Sequence, residues 1–322
     1  MKRYPQFLLV VTAFTNILSA QVITETFGRG LNQFSIDFVN IGNPGNAADM
    51  GNYSGTSTPY QAGSVGYVFN IGKYEVSRNM VERANADGGL GISLYDMTNY
   101  GGNGVNRPAT GVSWNEAARF VNWLNASKGF QVAYKFTTSG ANDNIALWGD
   151  GEYIGNNKFR HKDAHYFLPS LDEWYKAAYG SPQGLWYDYP TGSDTTPVAV
   201  NGGLLYGSSV YGQSGPSDIT EAGGLSPYGT MGQGGNVVEW NETAFDGISD
   251  NPNEKRIVRG GEWRYNVSAY LLASNPGDYW PDDPANEPTG FRVAMVPEPS
   301  SLSLLLIGVA GVASRRLLKR RG

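Results

Sequence analysis

Residues 256–294 read RIVRGGEWRYNVSAYLLASNPGDYWPDDPANEPTGFRVA. Two short apolar runs, 257–259 and 291–295, have the β-branched and aromatic content of strands. Between them lie a Gly-Gly pair, several aromatics and a Pro-, Asp- and Asn-rich stretch, which is the composition of a long ordered loop. The same alternation of brief strands and long loops recurs outward along the chain. Further strands are expected at 34–39 and 67–71, and loops at 42–66, 88–104 and 201–235. Two helices carry capping boxes, in which a Ser is followed three residues later by Glu: Ser113 with Glu116, and Ser170 with Glu173. Apolar residues then recur at helical spacing (Ala117, Phe120, Val121, Leu124; and Trp174, Ala177, Ala178), and Gly129 and Gly180 mark the stops. A third helix is expected from Ser77 toward Ala86. Few helices, short strands and long loops make an α+β domain of low regular content.

Composition supports one folded domain. A chain of 322 residues with 43 Gly, 13% aromatic and only 16% charged residues is too apolar for disorder and rich in turns. The balance of 24 Lys+Arg against 29 Asp+Glu, net −5, argues against a nucleic-acid partner, which needs a basic surface. The absence of Cys excludes disulfides, thiol nucleophiles, iron–sulfur clusters and Cys-ligated zinc.

The ends carry addresses. Lys2 and Arg3, an apolar run over 7–18 and Ser19-Ala20 have the order of a secretory signal peptide, residues 1–20. An ordinary N-terminal helix is the other reading. At the C-terminus, Val296-Pro297-Glu298-Pro299-Ser300 precedes an apolar run over 302–313 and a tail with Arg315, Arg316, Lys319, Arg320 and Arg321. The run is shorter than the roughly 20 residues of a stable span, and the basic tail belongs on the cytoplasmic side. Residues 297–322 resemble the PEP-CTERM sorting signal, which implies export and processing by an exosortase-type protease. A plain tail anchor is the alternative. Between the ends, no linker or repeat divides residues 34–296.

Six segments resemble, in order, the formylglycine-generating enzyme (sulfatase-modifying factor) family: 34–49 (FSIDFVNIGNPGNAAD), 71–77 (IGKYEVS), 107–125 (RPATGVSWNEAARFVNWLN), 167–179 (FLPSLDEWYKAAY), 226–243 (SPYGTMGQGGNVVEWNET) and 259–294. The resemblance implies a formylglycine-generating-enzyme-like fold, related to C-type lectins, in a single domain. Active members oxidise a sulfatase cysteine with copper held by two thiolates. Those positions here are Tyr265 and Tyr270. A phenol is a hard ligand and does not replace a thiolate on Cu(I), so neither copper nor oxidase activity is expected. The resemblance also implies a structural calcium at the 235–239 turn, held by carbonyls of Gly235 and Val237 and the carboxylate of Glu239. Gly232 stands where a further side-chain ligand would fall. The other reading makes Glu239 a turn cap and Trp240 core.

Other constellations are weaker. His161 and His165 are spaced i, i+4 but lie in a loop-like stretch without a third ligand. Asp278, Asp282, Asp283 and Glu287 could form an acid–base pair or a solvated loop. Many aromatics, among them Trp186, Tyr187, Tyr189, Tyr206, Tyr211 and Tyr228, fall in loops, and more than half are expected to be packing. Tyr265, Tyr270, Tyr279 and Trp280 would surround the family's substrate cleft and could bind a glycan or a protein. The expectation is an exported surface or matrix protein with a non-catalytic domain. A structural matrix component, or an enzyme of another mechanism, are the alternatives.

Overall fold

The computed structural model describes residues 22–50, 61–137, 144–283 and 288–297. The signal peptide expected over residues 1–20 and the apolar C-terminal run therefore lie outside the described residues. In chain order the elements are β1 (Val22–Phe27), β2 (Phe34–Ile41), β3 (Phe69–Gly72), α1 (Arg78–Gly88), α2 (Trp114–Lys128), β4 (Lys135–Phe136), β5 (Ile145–Ala146), β6 (Tyr166–Phe167), α3 (Leu171–Tyr179), β7 (Val198–Ala199), β8 (Ser208–Ser209), β9 (Val238–Ala244), β10 (Arg256–Arg259), β11 (Gly277–Tyr279), β12 (Thr289–Gly290) and β13 (Ala294–Met295). One sheet runs β1-β2-β3-β13-β6, so the C-terminal strand sits between β3 and β6 and ties both ends of the domain together. The second runs β11-β10-β9-β12.

The three helices start where the sequence places them. Ser113 Oγ accepts the amide of Glu116 at 3.2 Å, and the Glu116 carboxylate accepts the amide of Ser113 at 2.9 Å. Ser170 and Glu173 do the same for α3, at 3.2 and 2.6 Å. At α1 the reciprocal acceptor is the sulfur of Met80. Gly129 ends α2 in the left-handed conformation at φ 78°. Gly180 ends α3 for another reason: its φ is −85°, but a Cβ would lie 2.7 Å from the Lys176 carbonyl and 3.0 Å from the Trp186 ring. Two expectations shift. Strand β1 precedes the domain start read at Phe34 and pairs with all of β2 up to Val39. The strand expected over 291–295 narrows to β13, because Phe291, Arg292 and Val293 are committed to the core and the ion pair described below.

The core is aromatic. Trp114, Trp174, Trp240 and Trp263 are fully buried, each worth on the order of 2–3 kcal/mol in transfer free energy. Three of them spend their indole N–H across elements: Trp114 donates to the Asn241 carbonyl at 3.0 Å, Trp240 to Val112 at 2.7 Å and Trp174 to Glu239 at 2.7 Å. Asn125 of α2 binds β6 through its side chain, donating to the Tyr166 carbonyl and accepting the amides of His165 and Tyr166. These cross-links hold short strands and long loops in place where regular structure is scarce.

Candidate binding cleft

β10 is followed by Gly260 and Gly261, both at positive φ (99° and 70°). A Cβ on Gly261 would stand 3.0 Å from the Tyr270 carbonyl. That close approach lets the chain fold back so that Tyr265 and Tyr270 meet, with ring centroids 5.6 Å apart at 58°. Both remain about half exposed, at 50% and 44%. They line a cavity of about 270 Å³ with Glu262, Tyr279, Asn275 and Val258. Tyr279 stands edge-on to the buried Trp240, at 5.9 Å. Three of the four expected cleft aromatics therefore come together. Trp280 does not line the cavity. It is 51% exposed, and the Lys255 ammonium sits over its ring at 5.7 Å.

Around Tyr279 the charges are anionic. Burial raises its phenol above the usual range, and Glu262, Tyr265, Asp283 and Asp278 raise it further. Arg259 reaches this cavity, but its guanidinium is turned onto the rings of Tyr175 and Tyr179 and donates to the Ala273 carbonyl. The pair of phenols offers no thiolate, so the donor set at Tyr265 and Tyr270 does not fit a thiolate-held Cu(I) centre.

The 235–239 turn is built around two buried acids. Asn236 adopts φ 57°, donates to Glu75 at 2.7 Å and accepts the Ser217 amide at 2.8 Å. Glu239 is fully buried and paired with Arg292, at 2.5 Å to Oε1 and 2.6 Å to Oε2, while Trp174 also donates to Oε2. Arg292 further donates to the carbonyls of Gly72 and Met231. A cation bound by Glu239 here has to displace this guanidinium. Glu75 was not singled out by sequence. Its carboxyl is held well above the ordinary range, first by burial and then by Glu239. Gly232 lacks a side chain for a physical reason: a Cβ would come within 2.9 Å of the Glu75 carboxylate.

The remaining candidates separate. His161 Nδ1 accepts the Asp163 amide and its ring meets Trp148, whereas His165 stacks on Phe130 at 4.4 Å. No group of three or more His, Cys, Asp or Glu among the described residues is placed to hold a metal. Asp278 pairs with Lys255 at 2.7 Å, Asp282 and Asp283 are exposed, and Glu287 lies outside the described residues.

A larger cavity, about 510 Å³, was missed in the sequence because its charged residues come from distant segments. Arg160 lines it and bridges two buried carboxylates, Glu173 at 3.3 Å and Glu242 at 3.1 Å. Tyr67 donates to Glu173 at 2.5 Å, Tyr134 donates to Glu242 at 2.8 Å, and Asn157 also donates to Glu242. Glu242 is pushed up to about 7. Burial is the largest cause, Arg160 opposes it and Glu173 adds to it.

Residues 38–296 match the sulfatase-modifying factor enzyme 1-like domain family, and residues 296–321 match the PEP-CTERM protein-sorting motif. Val296, where that motif begins, lines the larger cavity. Among solved structures, Treponema denticola variable protein 1 superposes with a TM-score of 0.57 at 19% identity, covering 85% of this chain and 99% of that one. CarF gives 0.56 at 21%, covering 82% and 99%. PvdO from Pseudomonas aeruginosa gives 0.52 at 15%, covering 85% and 98%. At these identities the likeness is one of fold. No curated protein matches the chain.

Proposed function

This chain belongs to the sulfatase-modifying factor enzyme 1-like family, and from that premise we propose that it is an exported, non-catalytic binding protein that uses the tyrosine cleft to hold a glycan at the cell surface or in the extracellular matrix. The sorting motif implies export and exosortase-type processing at the membrane. The observation that carries the reading is the meeting of Tyr265 and Tyr270 as two half-exposed rings over a cavity. Exposed aromatic rings in a concave site stack on the apolar faces of sugars. Phenols in place of thiolates support a binding role over copper-dependent oxidation.

The test is a glycan-binding screen with the purified protein, repeated with Tyr265→Ala and Trp280→Ala. Tyr265→Ala weakens binding by about tenfold, the equivalent of ~1.4 kcal/mol. Trp280→Ala has a smaller effect, because its ring lies outside the cavity. Unchanged binding in Tyr265→Ala refutes the cleft. A protein that binds no glycan and self-associates is instead a structural matrix component, and turnover of a surface polymer makes it an enzyme.

A further inference from the structure

We propose that the loop tip at Leu204-Leu205-Tyr206 is a membrane contact, which seats the domain on the lipid surface to which its own sorting segment tethers it. This contact is independent of the tyrosine cleft. Leu204, Leu205 and Tyr206 are 68%, 56% and 77% exposed, three adjacent apolar side chains held in water. The fold brings two more beside them. The amide of Val198, itself more than half exposed, donates to the Gly207 carbonyl at 2.9 Å, where β7 pairs with β8. Leu225, also exposed, follows Gly224, and a Cβ on Gly224 would come within 3.0 Å of the Leu205 carbonyl. Exposed apolar groups gathered in one place mark a surface that meets another apolar phase.

Three observations favour lipid as that phase. The first is charge. In a chain with 16% charged residues, no Asp, Glu, Lys or Arg occurs from Thr195 to Ser217. Charged side chains are costly at the edge of a hydrocarbon phase, whereas protein interfaces carry a polar rim. Glu221 lies at the base of the loop, where its carbonyl accepts the Gly203 amide at 2.8 Å. The second is the backbone, whose polar groups must be satisfied internally where water is excluded. The carbonyls of Gly203, Leu205 and Gly207 accept the amides of Gly223, Ser208 and Val198, and the Ser208 hydroxyl also donates to Leu205. The apolar side chains therefore ride on a turn whose carbonyls are already engaged. Tyr206 adds a ring with one wet end, the kind of side chain that settles at the headgroup level.

The third is the tether. β13 ends at Met295 and the sorting motif begins at Val296. From Met295 to the start of the apolar run at residue 302 the chain reaches at most about 25 Å, even when fully extended. Until that segment is cut, the domain meets the bilayer at high effective concentration. A patch too small to hold a membrane from free solution is then sufficient as a second point of attachment.

The chain has 0 Cys, so a single introduced cysteine labels a single place. The experiment places an environment-sensitive fluorophore on Leu205→Cys in the full-length protein, reconstituted in phosphatidylcholine vesicles. Leu31→Cys is the control, since Leu31 is 95% exposed in a short turn between Gly30 and Asn32. The label at the Leu205 position should shift to the blue and be quenched by a lipid-borne quencher at the acyl boundary, and the label at the Leu31 position should do neither. The quenching should persist from about 0.01 M to about 1 M salt, where the screening length falls from about 30 Å to about 3 Å, because no charge takes part. Adding Leu204→Ser and Tyr206→Ser on the exposed tip should lower the ratio of engaged to free domain by about tenfold or more. An unquenched label at the Leu205 position overturns the proposal. Equal quenching at both positions also overturns it, as general adsorption. A blue shift that needs no vesicles and grows with protein concentration overturns it too, and makes the patch a contact between copies of the chain.

Discussion

Replacing Glu242 with Gln should change how stability depends on pH. Glu242 has no exposure, and its carboxyl is raised from 4.5 to about 7. The folded chain therefore keeps a proton on it that the unfolded chain has lost between those values. Where the folded state binds more protons, stability falls as pH rises. The contribution is complete below pH 4.5 and gone above about pH 7. A shift of roughly 2.5 units at ~1.4 kcal/mol each makes it about 3 kcal/mol. Gln keeps the shape and an acceptor for Tyr134, and leaves Arg160 paired with Glu173 alone. The measurement is thermal or denaturant unfolding of wild type and Glu242→Gln from pH 4 to pH 8. The difference between them removes the titrating groups that do not interact with Glu242. Wild-type stability relative to the variant should drop by about 3 kcal/mol across that range, equivalent to on the order of 6–10 °C in Tm. Parallel curves would show that Glu242 binds protons equally in the folded and unfolded states, and would refute the argument that burial and Glu173 outweigh Arg160.

Three further outcomes follow from the turn that carries Glu239. Arg292→Met leaves Glu239 buried without its charge partner and should cost about 3–5 kcal/mol in urea unfolding, with part recovered by adding Glu239→Gln. No recovery would mean that the carbonyl contacts of Arg292, rather than the ion pair, carry its effect. Gly235→Ala should lose at least about 1–3 kcal/mol from left-handed strain, because φ is 80° and a Cβ would stand 2.2 Å from the Val210 carbonyl; a neutral change would show that the turn relaxes. A calcium ion at Gly235, Val237 and Glu239 has to compete with Arg292, so melting followed against calcium and chelator should be flat in wild type. A calcium-dependent rise that Glu239→Gln abolishes would instead place the ion at the turn.

Local chemistry made much of this protein readable in its sequence. Ser113 with Glu116 and Ser170 with Glu173 determine where two helices begin, since a capping box satisfies amides within four residues of chain. The order of segments from 34 to 296 identifies the family, and the absence of any Cys shows at once that a thiolate pair is missing, because a ligand is either in the sequence or it is not. Tertiary structure decided what depends on distance. Tyr265 and Tyr270 face each other only because Gly261 lets the backbone pass the Tyr270 carbonyl. Trp280, next in sequence to a cleft residue, lies just past the end of β11 and carries the Lys255 ammonium over its ring. Glu239, which the six-residue motif allows as a calcium ligand or a turn cap, is paired with Arg292, 53 residues away. Arg160, Glu173 and Glu242 form one charged cluster from three segments. Sequence records which groups are available, but burial and long-range pairing set their charge and their neighbours, and these exist only once the chain has folded.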